Sequence, residues 1–205
     1  DSRNNCNAII ETDCDELILG CDTTIIPYGV KEIGHSAFAD CKNLTNIIIP
    51  DSVTYIDGYA FAGCTNLIEI TIPNSVTEIG SYAFYGCSSL ANISIPGSVS
   101  KIEARTFYEC TSLAHIDISE GVASIDYDAF DGCSALNSIV IPKSVTKISC
   151  RAFTGCASLK RIVVADDNPV YDSRNNCNAI VDTETNELIV GCATTIIPHG
   201  VTKIG

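Results

Sequence analysis

Between Ile70 and Leu90 the chain reads ITIPNSVTEIGSYAFYGCSSL, and its apolar positions change period twice within that span. Ile70-Thr71-Ile72 alternates, as a short strand with one buried face does. Pro73-Asn74-Ser75 is turn chemistry, since proline presets φ and the Asn and Ser side chains bond the local backbone. Val76 and Ile79 then place two apolar residues three apart, which fits a second short strand or an extended corner, and Gly80 interrupts it. Ser81 to Cys87 sets Ala83 and Phe84 inward among polar neighbours, a pattern that suits a single helical or 3-10 turn. Cys87 and Leu90 lead back to the next strand.

The same phrase returns at a fixed interval along the chain. Phe38, Phe61, Phe84, Phe107, Phe130 and Phe153 form one evenly spaced column, and they are all the phenylalanines of the chain. Leu44, Leu67, Leu90, Leu113, Leu136 and Leu159 form another with the same spacing. Pro27, Pro50, Pro73, Pro96 and Pro142 share a third, with Ser119 and Ala165 standing in. A single unit cannot bury its own apolar face, so neighbouring copies bury it for one another. The expected fold class is a strand-rich α/β solenoid, a right-handed superhelix with a parallel sheet along one face and short helical or 3-10 turns opposite.

The pattern L-x-x-I-x-I-P-x-x-V-x-x-I-x-x-x-A-F-x-x-C, as it stands from Leu67 to Cys87, resembles the BspA-like leucine-rich repeats of bacterial surface proteins. The resemblance covers essentially the whole chain, with six consecutive units from Pro27 to Val164. It implies a leucine-rich-repeat horseshoe or gently curved rod, and an extracellular or cell-surface location. It also implies protein partners: host matrix proteins such as fibronectin and fibrinogen, host cells, or other bacteria.

One interval breaks step, because the stretch from Ala165 to Pro198 is longer than the spacing that separates the other members of the proline column. The added stretch holds two apolar runs, Ala179 to Val181 and Leu188 to Val190, around the polar Thr183-Glu184-Thr185-Asn186, which reads as an inserted β-hairpin. Residues 1–34 and 172–205 are near copies, both opening DSRNNCNAI and both carrying TTIIP, so a unit of the same kind opens the chain. The expected organisation is one solenoid over 1–205. It has six regular units at 27–164, hairpin-containing units at 1–26 and 165–197, and a truncated next unit at 198–205. Neither end resembles a cap, so the expectation is a segment of a longer array, with self-association through uncapped ends as a further option.

Composition narrows the function. A net charge of −13 and the absence of a basic stripe argue against nucleic acid. No apolar run approaches the roughly 18 residues of a membrane-spanning helix. Six of the 12 cysteines fall in the repeat. Cys41, Cys64, Cys87, Cys110, Cys133 and Cys156 keep its spacing, and a column of small buried hydrophobes is the expected reading. Cys6 with Cys21, and Cys177 with Cys192, bracket the two hairpins symmetrically. Each pair fits a disulfide across the hairpin, and equally a reading in which Cys21 and Cys192 fill the leucine column. His35, His115 and His199 take variable surface positions with no thiol assigned to them, and no catalytic or nucleotide-binding motif is present. No enzyme and no cofactor is expected. The acidic groups Asp126, Asp128, Asp131 and Asp166, Asp167, Asn168, Asp172 lack EF-hand spacing and read as solvated turns, so no metal is expected.

What remains is surface. The residues flanking the buried isoleucines project outward in two columns: Ile25, Ile48, Thr71, Ser94, Asp117, Val140, Val163 and, beside them, Asn46, Glu69, Asn92, His115, Ser138, Arg161. This strand face is the candidate partner-binding surface, with a structural spacer as the alternative. Tyr59, Tyr82, Tyr85, Tyr108 and Tyr127 fall on the opposite side, as a second contact surface or as cover for the coil junctions.

Overall fold

The computed structural model describes residues 6–205; residues 1–5, which open the first hairpin-containing unit, lie outside the described residues. Each regular unit contributes two short strands. The longer ones are Asn46–Ile48, Glu69–Thr71, Asn92–Ile95, His115–Ile118, Ser138–Ile141 and Arg161–Val164. They pair in parallel with a register of one repeat, Ile47 beside Ile70, Ile93 beside Ile116, Ile139 beside Ile162. The corner at Val76 to Ile79 is resolved as a strand: Glu32–Ile33, Tyr55–Ile56 and Glu78–Ile79 pair in parallel, as do Lys101–Ile102, Ser124–Ile125 and Lys147–Ile148. The coils therefore stack as a strand-rich parallel solenoid of about six turns.

The third side corrects the expectation of helical turns. Among the described residues the one 3-10 segment is Arg174–Asn176, outside the regular units. In the coil after Tyr55–Ile56, backbone donors alternate between two partners. The N–H groups of Tyr59, Phe61 and Gly63 donate to the carbonyls of Ser81, Ala83 and Tyr85 on the next coil, at 3.2, 2.8 and 2.7 Å. Those of Ala60, Ala62 and Cys64 donate within their own coil, to Asp57, Tyr59 and Phe61. A helix would keep every donor on its own coil. The alternation is made possible by left-handed backbone at two columns: Ser36, Tyr59, Tyr82, Arg105 and Asp128 in one, and Asp40, Gly63, Gly86, Glu109, Gly132 and Gly155 in the other. Glycine dominates the second because positive φ carries no Cβ penalty there.

The interior is a set of ladders. The phenylalanine rings stack along the axis, with centroids 5.1 to 5.5 Å apart and planes within 11°. Beside them the thiols of Cys64, Cys87, Cys110, Cys133 and Cys156 each donate to the carbonyl of a phenylalanine one coil back, Phe38 through Phe130, at 3.1 to 3.3 Å. The column expected to be inert hydrophobe thus also satisfies a row of buried acceptors.

Both hairpins form, Ile9–Glu11 with Glu16–Leu19 and Ala179–Asp182 with Glu187–Gly191. Where the second begins, Asn168 is buried and its amide Nδ2 donates to the carbonyls of Pro142 and Val145, both at 2.9 Å, while Oδ1 accepts from the N–H of Val170 and Tyr171. The Tyr171 hydroxyl accepts from the N–H of Ile148 and so terminates the short-strand ladder. Asn168 is a structural plug and not a solvated turn. All twelve cysteines are free thiols, and no bridge spans either hairpin. Cys6 and Cys177 are buried; Cys21 and Cys192 instead direct their thiols at the carbonyls of Asn7 and Asn178, both at 3.4 Å. At the leucine position of their units, Cys21 is exposed and Cys192 is half-buried against the core, so neither is enclosed as Leu44 is.

Candidate interaction surface

Period-two alternation decides which side chains the strand face offers. In Asn46–Ile48, Glu69–Thr71 and Asn92–Ile95 the residues between the buried isoleucines all stand exposed. Asn46, Glu69, Asn92, His115 and Arg161 are exposed along one column, with Ser138 half-buried. In the other, Ile48 is 84% and Val140 59% exposed, Thr71, Ser94 and Asp117 are exposed, and Val163 is half-buried. Ile25, at 74% exposure, lies before the first long strand, and its N–H donates to the carbonyl of Cys6. The stack brings the others onto one continuous face. Between the two apolar positions lies a polar centre, where Ser94 donates to Asp117 at 3.2 Å. Glu69, Thr71, Asn92, Ser94, His115 and Asp117 line a shallow depression there of about 460 Å³.

The opposite side is already occupied by its own contacts. Tyr59 and Tyr82 stack at 4.6 Å and 8°, and His35 meets Tyr59 edge-on. The Arg105 guanidinium lies over the rings of Tyr82, Tyr108 and Tyr127 at 5.3 to 5.7 Å, and Arg151 covers Tyr127 at 4.7 Å. Asp128, only 1% exposed, accepts from Arg105 Nε at 3.0 Å and forms an ion pair with Arg151, whose Nε lies 3.1 Å from its other oxygen. It too departs from the solvated-turn expectation: it is a buried anion clamped by the cations one coil before and one coil after. With ring faces covered and charges paired, this side is built chiefly as junction cover.

In the buried ladder, thiol chemistry runs against nucleophilic use, whereas hydrogen bonds from Thr23 and Thr24 hold the exposed Cys21 thiol below its ordinary value. Burial pushes Cys64 and Cys156 up to about 12 and holds Cys87, Cys110 and Cys133 well above the ordinary thiol range, whereas a nucleophile requires a stabilised thiolate. Among the described residues, Glu11, Cys14 and Glu16 bring one potential ligand atom each within 4.8 Å of one another on the first hairpin. Cys14 and Glu11 are exposed, so the trio lacks the enclosed donor cage of a structural metal site. No helix among the described residues is long and apolar enough to cross a membrane.

Six copies of the BspA type leucine-rich repeat region match residues 31–160. The chain belongs to the BspA-type leucine-rich repeat family. Solved structures agree with this fold. A leucine-rich cell surface protein from Faecalibacterium prausnitzii superposes with a TM-score of 0.64 at 28% identity, over 89% of this chain and 58% of that one. The pneumococcal vaccine antigen PcpA gives 0.68 at 23% identity, over 80% of this chain and 43% of that one. A leucine-rich repeat protein from Eubacterium ventriosum gives 0.57 at 20%, over 80% and 44%. This chain therefore spans less than two thirds of the length of each of these relatives. No curated protein matches the sequence significantly.

Proposed function

We propose that this chain is a non-catalytic binding module of a secreted or cell-surface bacterial protein, and that its strand face holds a protein partner, foremost a host matrix or host-cell protein. The observation that carries this reading is the contrast between the two faces. The tyrosine side spends its aromatic and charged groups on its own junctions, whereas the strand face leaves Ile48 and Val140 standing in solvent on either side of a polar centre. Apolar side chains left in solvent beside polar groups give a protein partner both area to bury and groups to bond. The cell-surface description of the Faecalibacterium relative supports the location.

Binding of the purified chain to immobilised fibronectin, fibrinogen and other matrix proteins tests it, with Ile48→Lys/Val140→Lys alongside and circular dichroism as the control for folding. Saturable binding that weakens at least tenfold in the double variant is the expected result. Absence of binding by the parent chain would favour a spacer.

A further inference from the structure

Two carboxylates at the centre of the strand face are matched by no cation of the chain. Glu69 and Asp117 both stand exposed there, and among the described residues neither takes part in an ion pair. The Asp117 carboxylate accepts from the Ser94 hydroxyl, and that bond leaves its charge in place. Where packing uses an acid it supplies the cation. Lys101 meets Glu103 and Asp126, both at 2.7 Å, Asp128 is held by Arg105 and Arg151, and Glu187 meets Lys203 at 2.8 Å. In the two outward columns the only lysine or arginine is Arg161, about 10 Å of stack beyond His115. At that range salt screens much of its pull on the pair.

Along the axis the face runs apolar, acidic, polar, acidic, apolar. Ile48 and Val140 stand about 19 Å apart at a strand spacing of about 4.8 Å, with Glu69, then Asn92 and Ser94, then Asp117 between them. The depression of about 460 Å³ lies between the two carboxylates. Its floor is apolar, formed by Ile70, Ile93 and Ile116. Ile116 is half-buried, whereas Ile47, Ile70, Ile93, Ile139 and Ile162 at the same strand position are buried. An apolar floor under an acidic rim accepts the methylene stem of a lysine or arginine and bonds its charged head. A purely apolar occupant would desolvate two carboxylates without pairing them, and an anionic one would meet like charge.

We infer that the strand face selects a protein segment that places a lysine or arginine side chain in this depression, between two apolar side chains that cover Ile48 and Val140. Glu69 and Asp117 set the choice of partner, and the apolar pair supplies contact area. The inference rests on the assignment of protein binding to this face and adds the chemistry of the partner.

The test applies the full chain, fluorescently labelled, to immobilised synthetic peptides with a central Arg, Lys, Gln or Glu. Leucines stand three residues to either side, about 10 Å away in an extended chain, with glycine and serine between. Two paired variants accompany the parent. Glu69→Gln/Asp117→Asn removes the charge of the depression, and Glu32→Gln/Glu78→Gln removes the same charge from the short-strand side. The Arg and Lys peptides should be held at least tenfold more tightly than the Gln peptide, a preference lost in the first variant and kept in the second. The probes contain no host protein, so a chain that prefers them yet ignores fibronectin and fibrinogen would remove the host-matrix reading and support this one. Equal retention of the Arg and Gln peptides, retention of none, or equal losses in the two variants would overturn the inference.

Discussion

At the scale of single residues the fold is held by side chains that serve two coils at once. Cys110 fills the core and donates to the Phe84 carbonyl at 3.1 Å. Cys110→Ala is therefore expected to cost about 1–3 kcal/mol, combining a small cavity with an orphaned acceptor, as read by urea denaturation. Phe84 stacks on both Phe61 and Phe107, so Phe84→Ala should cost about 3–5 kcal/mol. The thiol column also sets a pH dependence. An unburied thiol titrates near 9.0, and Cys64 and Cys156 are raised to about 12 by burial. Between those values the unfolded chain releases protons that the folded chain retains, so stability is complete below about pH 9 and falls as pH rises towards 12. Denaturation midpoints measured under reducing conditions from pH 8 to 11 should decline, and less steeply in Cys64→Ala. A flat profile would contradict the buried, protonated column.

At the scale of elements, the strands were legible because burial at a fixed spacing sorts residue type: Ile47, Ile70 and Ile93 could occupy only the inward side of an alternating strand. The hairpin was legible from Ala179 to Val181 and Leu188 to Val190 around a polar turn. The third side of the coil was not, because an inward Ala-Phe pair looks the same in a helical turn and in one broken by left-handed residues. The signal that separates them is the glycine column at Gly63, Gly86, Gly132 and Gly155, where φ is +68° to +77°. Outward columns of the strand face followed from the same alternation. The Asp128 clamp did not, since Arg105 and Arg151 share its column with Ser36, Tyr59 and Tyr82, and only stacking brings the three charges together. Asp128→Asn keeps the shape and the tolerance for positive φ but removes the charge, and should cost about 1–2 kcal/mol. A double-mutant cycle with Arg105→Gln should recover most of that loss as coupling.

At the scale of the whole molecule, one core runs through the regular coils, with a smaller cluster at the second hairpin, and leaves two long faces with different fates. One is consumed by tyrosine, arginine and aspartate contacts along the axis. The other repeats a polar and apolar grid that packing does not require, and it is the face for which we propose recognition. The most direct measurement is attachment of the fluorescently labelled chain to host-cell and matrix-coated surfaces, comparing Ile48→Lys/Val140→Lys with Tyr85→Ser/Tyr108→Ser at matched folded content. Loss of attachment in the strand-face variant alone is the expected result. Loss in the tyrosine-side variant alone, with the strand-face variant attaching as the parent does, would contradict the assignment.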